Sequence, residues 1–114
     1  MKTEKQMGMT YKEYKQNEFG YTCITTFWDD FSIADRFGIS AVKDTFKRAF
    51  KEWKTNYKYL TELVIVLNDK CWYYYNHNQI ELSKVYSELY YQARDYALDN
   101  LKGEEYQYYY QCTD

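Results

Sequence analysis

The sequence contains no proline and only four glycines among its 114 residues. Sandwiches and barrels use these residues at their many turns, so their scarcity favours a few long helices. We therefore predict an all-α fold: a single-domain bundle of three to four helices, with a short strand or extended segment at the termini as an addition.

Residues that carry out chemistry are also scarce. The three cysteines are scattered, with no CxxC pair, which argues against a disulfide framework or a zinc site and fits a reducing cytoplasm. His77, the only histidine, stands among asparagines, and the glycines stand singly, so no phosphate-binding loop is present. We predict no catalytic residue, no metal and no cofactor, and therefore a protein that is not an enzyme.

Long apolar runs are missing as well. No stretch approaches the roughly 18 residues needed to span a bilayer, and the N-terminal residues lack the apolar region of a signal peptide. We expect a soluble cytoplasmic protein with no membrane partner. Residues 1–114 are predicted to form one domain, with a polar, partly flexible lead-in at 1–18 and an acidic, tyrosine-rich tail at 104–114.

The only uninterrupted aliphatic run is Leu63–Leu67. Leu60, Leu63, Leu67 and Cys71 continue its apolar pattern at steps of three or four, which is helical spacing. Val66 lies on another flank, and a helix that is apolar on several sides is buried on several sides. The pattern predicts a central helix with the others packed around it; a short buried strand is the alternative.

Three further helices follow from apolar stripes and end signals. The first is Phe27–Phe37, with Thr26 and Asp29 as a capping box and Gly38 at its C-terminal end. The second runs from Ala41 to about Asn56 and is capped by Ser40. The last is a long helix with Asn78 and Glu81 as a capping box, and it ends at Gly103. Residues 19–25 have strand-like composition, and their one candidate partner is the alternating segment 106–110.

A row of lysines runs along the second of these helices. Residues 43–58 contain six basic and two acidic side chains, a net charge of +4, whereas residues 81–114 carry −4. The predicted contact face consists of Lys43, Lys47, Arg48, Lys51, Lys54 and Lys58. The alternative is that this face is simply solvated. Nucleic acid is a second class of partner, because rows of Lys and Arg bind its phosphates.

Tyrosine is the most unusual feature, with 16 copies in the chain. Consecutive helical residues point about 100° apart, so clusters such as Tyr73-Tyr74-Tyr75 cannot all face inward. Exposed tyrosines are common at protein interfaces. We predict that Tyr74, Tyr75, Tyr91 and Tyr109 contact a partner, with scattered surface rings as the alternative.

The segments TTFWDDFSIADRFG (25–38), AVKDTFKRAFKEWK (41–54), YKYLTELVIVLN (57–68) and NLKGEEYQYYY (100–110) resemble small uncharacterised acidic proteins of plasmids, conjugative elements and phages of Gram-positive and gut bacteria. The resemblance implies no activity and no functional residue. It implies a setting in which small proteins bind host or element proteins, including defence nucleases, as anti-CRISPR and anti-restriction proteins do. The hypothesis is a protein-binding protein of this kind; a nucleic-acid-binding accessory protein using the stripe from Lys43 to Lys58, or a homodimer, is the alternative.

Overall fold

The computed structural model describes residues 24–113, and this part of the chain is helical with no strand. The five helices are α1 (Ile24–Asp35), α2 (Ile39–Trp53), α3 (Tyr57–Asn76), α4 (Ile80–Asn100) and α5 (Gly103–Thr113). The all-α prediction is confirmed for these residues. They form five helices where three to four were predicted, because the C-terminal tail is itself a helix.

Helix α3 lies at the centre of the fold and contacts each of the other four helices. Leu60, Leu63, Val66 and Leu67 are fully buried, although they point to different sides of the helix. This confirms the prediction of a central helix that is apolar on several sides, and the strand alternative is wrong.

The surrounding helices each bury one apolar face against α3 or its neighbours. The buried side chains of these faces are Phe27 and Phe31 from α1, Val42 and Phe46 from α2, and Val85, Tyr86, Leu89, Ala93 and Ala97 from α4. Full burial of one large apolar side chain contributes about 1.5–3 kcal/mol. The faces were predicted from spacing, except that Phe37 lies beyond the end of α1 and is exposed.

The start of α2 differs from the prediction. Thr26 and Ser40 both lie inside helices rather than at caps. Gly38 takes the cap position of α2, and its carbonyl oxygen accepts a hydrogen bond from Val42 N at 3.1 Å. Its φ of 106° and ψ of 179° are open almost exclusively to glycine, so glycine is needed to turn the chain between α1 and α2.

Helix α3 begins at a side-chain cap, whereas the start of α4 is set by backbone conformation. The Asn56 side chain accepts hydrogen bonds from Lys58 N at 3.1 Å and Tyr59 N at 3.2 Å, which starts α3. Asn78 was predicted to cap α4, but its φ of 61° is left-handed and ends α3 instead. Gln79 therefore occupies the cap position of α4.

Helix α5 folds back onto α3. The Tyr108 ring meets the Tyr57 ring edge to face, with centroids 5.3 Å apart, and Tyr109 is buried. The alternative in which 19–25 and 106–110 pair as strands does not hold, since residues 106–110 are helical. Residues 19–23 and the predicted lead-in at 1–18 lie outside the described residues.

Candidate functional site

The lysine row predicted from the sequence lies along one wall of an open groove between α2 and α4. Because apolar residues of α2 repeat at helical spacing and face the core, lysines at the flanking positions fall in a row beside them. The groove has a volume of about 620 Å³. Its wall on the α2 side contains Lys43, Lys47 and Lys51 of α2 and Lys54, the cap residue that directly follows the helix.

The floor of the groove is apolar and its opposite wall is polar. Phe46 and Phe50 of α2 and Leu89 of α4 form the floor, while Glu88 and Gln92 of α4 face the lysines. Two carboxylates, those of Asp44 and Glu88, stand against four lysines, so the lining carries a net charge of +2. The site therefore combines positive potential with an apolar surface.

Lys54 is held in place more closely than the other lysines of the groove. Its Nζ lies 5.5 Å from the ring centroids of both Phe50 and Tyr96, and these two rings meet edge to face. A cation over an aromatic face gains about 0.5–1 kcal/mol at an exposed site. The amine of Lys54 is thus oriented at one end of the groove before any partner arrives, whereas Lys43, Lys47 and Lys51 are exposed.

Arg48 and Lys58, also predicted as contacts, lie outside the groove lining. Arg48 Nε is 3.2 Å from Asp44 Oδ2 in an exposed pair along α2. The Lys58 amine lies 5.9 Å from the ring centroids of both Tyr57 and Tyr108, beside the α3–α5 contact. These two cations extend the positive surface beyond the groove rather than forming it.

The predicted tyrosine contacts divide into two groups. Tyr75 and Tyr91 are 55% and 52% exposed, as expected of contact residues. Tyr74 and Tyr109 are only 8% and 5% exposed, so their prediction as surface contacts is wrong. Tyr74 turns inward because its hydroxyl donates to Asp35, and Tyr109 lies on the face of α5 that packs on the bundle.

A buried polar cluster that the sequence analysis missed joins α1, α3 and α4. Lys70 Nζ donates to Ser32 Oγ at 2.7 Å and to Asp35 Oδ2 at 3.0 Å. Tyr86 donates its hydroxyl to Asp35 Oδ1 at 2.5 Å, and Tyr74 donates to Oδ2. Both oxygens of one carboxylate are therefore occupied by donors from two other helices.

Burial dominates the electrostatics of this cluster. The Lys70 and Asp35 side chains are 2% and 7% exposed. Burial lowers the pKa of the Lys70 amine, although Asp35 acts in the opposite direction. Burial, together with the hydrogen bonds to Asp35, raises the pKa of the Tyr74 and Tyr86 phenols. The Lys70 amine also lies 4.2 Å from the Trp28 ring centroid, so the cluster ties α1 to the centre of the fold.

One signal in the sequence pointed to this cluster. Lys70 is the only lysine or arginine between Lys58 and Lys84, and it continues the apolar spacing of Leu63 and Leu67. A charged side chain at an apolar position of a helix has to be paired when it is buried. The partner, Asp35, is 35 residues away along the chain, and no local pattern marks it.

The remaining reactive side chains stand apart from one another. Cys71 Sγ lies 3.6 Å from Ser83 Oγ on the α3–α4 contact, and Cys112 is exposed on α5. His77 is exposed in the turn, its Nδ1 2.7 Å from the Tyr73 carbonyl oxygen. Within residues 24–113, no three or more His, Cys, Asp or Glu side chains are grouped so that they could hold a metal ion. None of the helices in that range is long and apolar enough to cross a membrane.

No protein-family model, curated protein or solved structure matches this chain. The resemblance to proteins of mobile elements therefore stays a prediction.

Proposed function

We propose that this is a non-enzymatic protein that binds an acidic surface of a partner protein in the groove between α2 and α4. The observation that carries the proposal is the convergence of Lys43, Lys47, Lys51 and Lys54 on an apolar floor. Positive charge at the edge steers an acidic partner and sets its register. The apolar floor provides a surface that can lose all its water when the partner binds. Such fully desolvated surfaces contribute most of the binding energy of an interface.

Nucleic acid is the weaker candidate for this groove. A phosphate backbone would place negative charge beside Glu88 and Asp44, both of which line the groove. The whole chain also carries a net charge of −2, so no long-range field attracts a polyanion. A protein surface can avoid the two carboxylates by placing neutral or basic side chains opposite them.

The resemblance to mobile-element proteins supports a choice of partner. In that setting the partner is a host or element protein, and a defence nuclease of a CRISPR or restriction system is the class we propose. The exposed Tyr75 and Tyr91, and the cations Arg48 and Lys58, would then add contacts outside the groove.

Charge reversal in the groove tests the proposal. Tagged wild-type protein and the variants Lys47→Glu, Lys51→Glu and Lys102→Glu are used to capture partners from a host lysate treated with nuclease. Lys102 is exposed in the α4–α5 connection, outside the groove lining, and its reversal changes the net charge by the same amount. We expect a stoichiometric protein partner whose affinity falls at least about tenfold for each groove variant, with no change for Lys102→Glu.

Three results would contradict the proposal. Equal loss for all three variants would indicate a dependence on net charge alone. Nucleic acid captured from an untreated lysate and released steeply by salt, with no protein captured after nuclease treatment, would promote the alternative function. Self-association in sedimentation experiments, with no other partner bound, would indicate the homodimer.

A further inference from the structure

We infer that the occupant of the groove is an amphipathic α-helix of the partner, acidic along one flank only. This inference rests on the proposed function, because it specifies the shape and charge pattern of the partner at the same site. Three observations on the groove support it: the spacing of its lysines, the composition of its floor and the asymmetry of its walls.

The lysine spacing matches a helix better than an extended chain. Lys43, Lys47, Lys51 and Lys54 follow at steps of four, four and three residues. At a rise of 1.5 Å per residue these steps are about 6, 6 and 4.5 Å, roughly 16 Å in all. A second helix lying alongside repeats the same steps on its own flank. An extended chain places same-face residues about 6.8 Å apart, so three such steps span roughly 20 Å and run out of register.

The floor of the groove has the repeat of a helix-packing surface. Phe46 and Phe50 lie one turn apart on α2, and their rings stack with centroids 5.2 Å apart. Leu89 supplies the other side of the floor from α4. Two neighbouring helices leave between them a groove that accepts the ridge of a third, and amphipathic helices are recognised in this way through apolar residues at i, i+3, i+4 and i+7.

The two walls of the groove require different flanks on the partner. The α2 wall carries the four lysines together with Asp44, whose carboxylate is paired with Arg48, whereas the α4 wall contains Glu88 and Gln92. A carboxylate placed against Glu88 would be repelled by its like charge and would also lose its hydration. The helix that fits therefore carries carboxylates on the flank facing α2 and neutral or basic residues on the flank facing α4.

Selection from a random peptide library displayed on phage tests this inference. The library is selected on the wild-type protein and depleted on the double variant Lys47→Glu, Lys51→Glu. We expect enriched peptides to share apolar residues at i, i+3 or i+4 and i+7, with carboxylates on one flank. As synthetic peptides they should gain helical circular dichroism on binding, weaken more than tenfold with Lys51→Glu, and be unaffected by Lys102→Glu.

A second selection, on Glu88→Lys, tests the asymmetry. Glu88 is exposed, so its reversal leaves the core unchanged and makes both walls basic. We expect this variant to enrich helices with carboxylates on both flanks. Unchanged preferences would overturn the assignment of the flanks.

The outcomes separate this inference from the proposed function. Enriched peptides with alternating or proline-containing patterns, or none that depend on Lys47 and Lys51, would overturn the helical occupant. If lysate capture still depends on those lysines, the proposed function stands without it. If both groove variants capture the partner as well as the wild-type protein does, the proposed function fails as well.

Discussion

Replacement of Asp35 by alanine should be the most destabilising single change to a polar residue in this fold. The Asp35 carboxylate accepts hydrogen bonds from Lys70, Tyr74 and Tyr86, so alanine removes the shared acceptor of three donors. Lys70 would keep the Ser32 hydroxyl, the face of the Trp28 ring and the charge of Asp29, but would lose the carboxylate that accepts its hydrogen bond in the cluster.

The magnitude follows from the burial of the groups left behind. Removing one partner of a buried ion pair costs about 3–5 kcal/mol, because the other charge stays in a site that water cannot reach. Each phenol hydroxyl left without an acceptor costs about 1–3 kcal/mol. These costs overlap, since all three donors relax around one cavity, so we expect a loss of about 5 kcal/mol in the free energy of unfolding. That is comparable to the whole stability of a small domain.

Urea denaturation followed by circular dichroism measures the effect, and a double-mutant cycle identifies its cause. Lys70→Met replaces the charge with an apolar chain of similar length, so the double variant Asp35→Ala, Lys70→Met should be more stable than Asp35→Ala alone. Lys84→Met, at an exposed position of α4, is the control and should stay within about 0.5 kcal/mol of wild type. A loss below about 1 kcal/mol for Asp35→Ala, or strict additivity of the two changes, would refute the reasoning.

Three other predictions concern the same fold. Burial and the hydrogen bonds to Asp35 raise the pKa of Tyr74 and Tyr86 above the ordinary value of 10.0, so their stabilisation is fully present below pH 10 and is lost as the pH rises above it. The lowered pKa of Lys70 acts in the opposite direction at pH values below its ordinary value of 10.5, but one amine opposes two phenols. The urea concentration at the midpoint of unfolding should therefore decrease as the pH rises above 10. Tyr86→Phe should make this decrease smaller, and an unchanged decrease would contradict the reasoning. Tyr109→Ala should lower the free energy of unfolding by about 3–5 kcal/mol, because it removes the buried ring through which α5 packs on the bundle. Tyr110→Ala, at an exposed neighbouring position, should lower it little. Equal effects of the two substitutions would show that α5 does not dock through Tyr109. Gly38→Ala should lower the free energy of unfolding by about 1–3 kcal/mol. The cause would be backbone strain alone, since nothing lies within 4 Å of the added Cβ. An unchanged stability would mean that the turn can change its conformation.

Much of the helical framework could be predicted from the sequence because it is local. Four helices, the apolar face of each and the central place of α3 follow from apolar residues at steps of three and four. Part of the lysine row could be predicted for the same reason, since Lys43, Lys47 and Lys51 lie on one helix, whereas Lys58 belongs to α3. The caps were less predictable: Thr26, Ser40 and Asn78 are favourable cap residues, but Gly38 and Asn78 adopt left-handed conformations that moved the helix starts.

The sequence by itself therefore determined the helices α1 to α4 and which side chains share a face of one helix, since both depend on backbone geometry over a few residues, but it did not identify α5. Only the tertiary structure decided which faces meet. It placed Leu89 and Glu88 of α4 opposite the lysines of α2, and so made a groove with two unlike walls from a row of charges. It also paired Asp35 with Lys70 and turned Tyr74 inward while Tyr75 stayed exposed. These are contacts between residues distant in sequence, and they depend on how whole helices pack, which periodicity within a single helix does not specify.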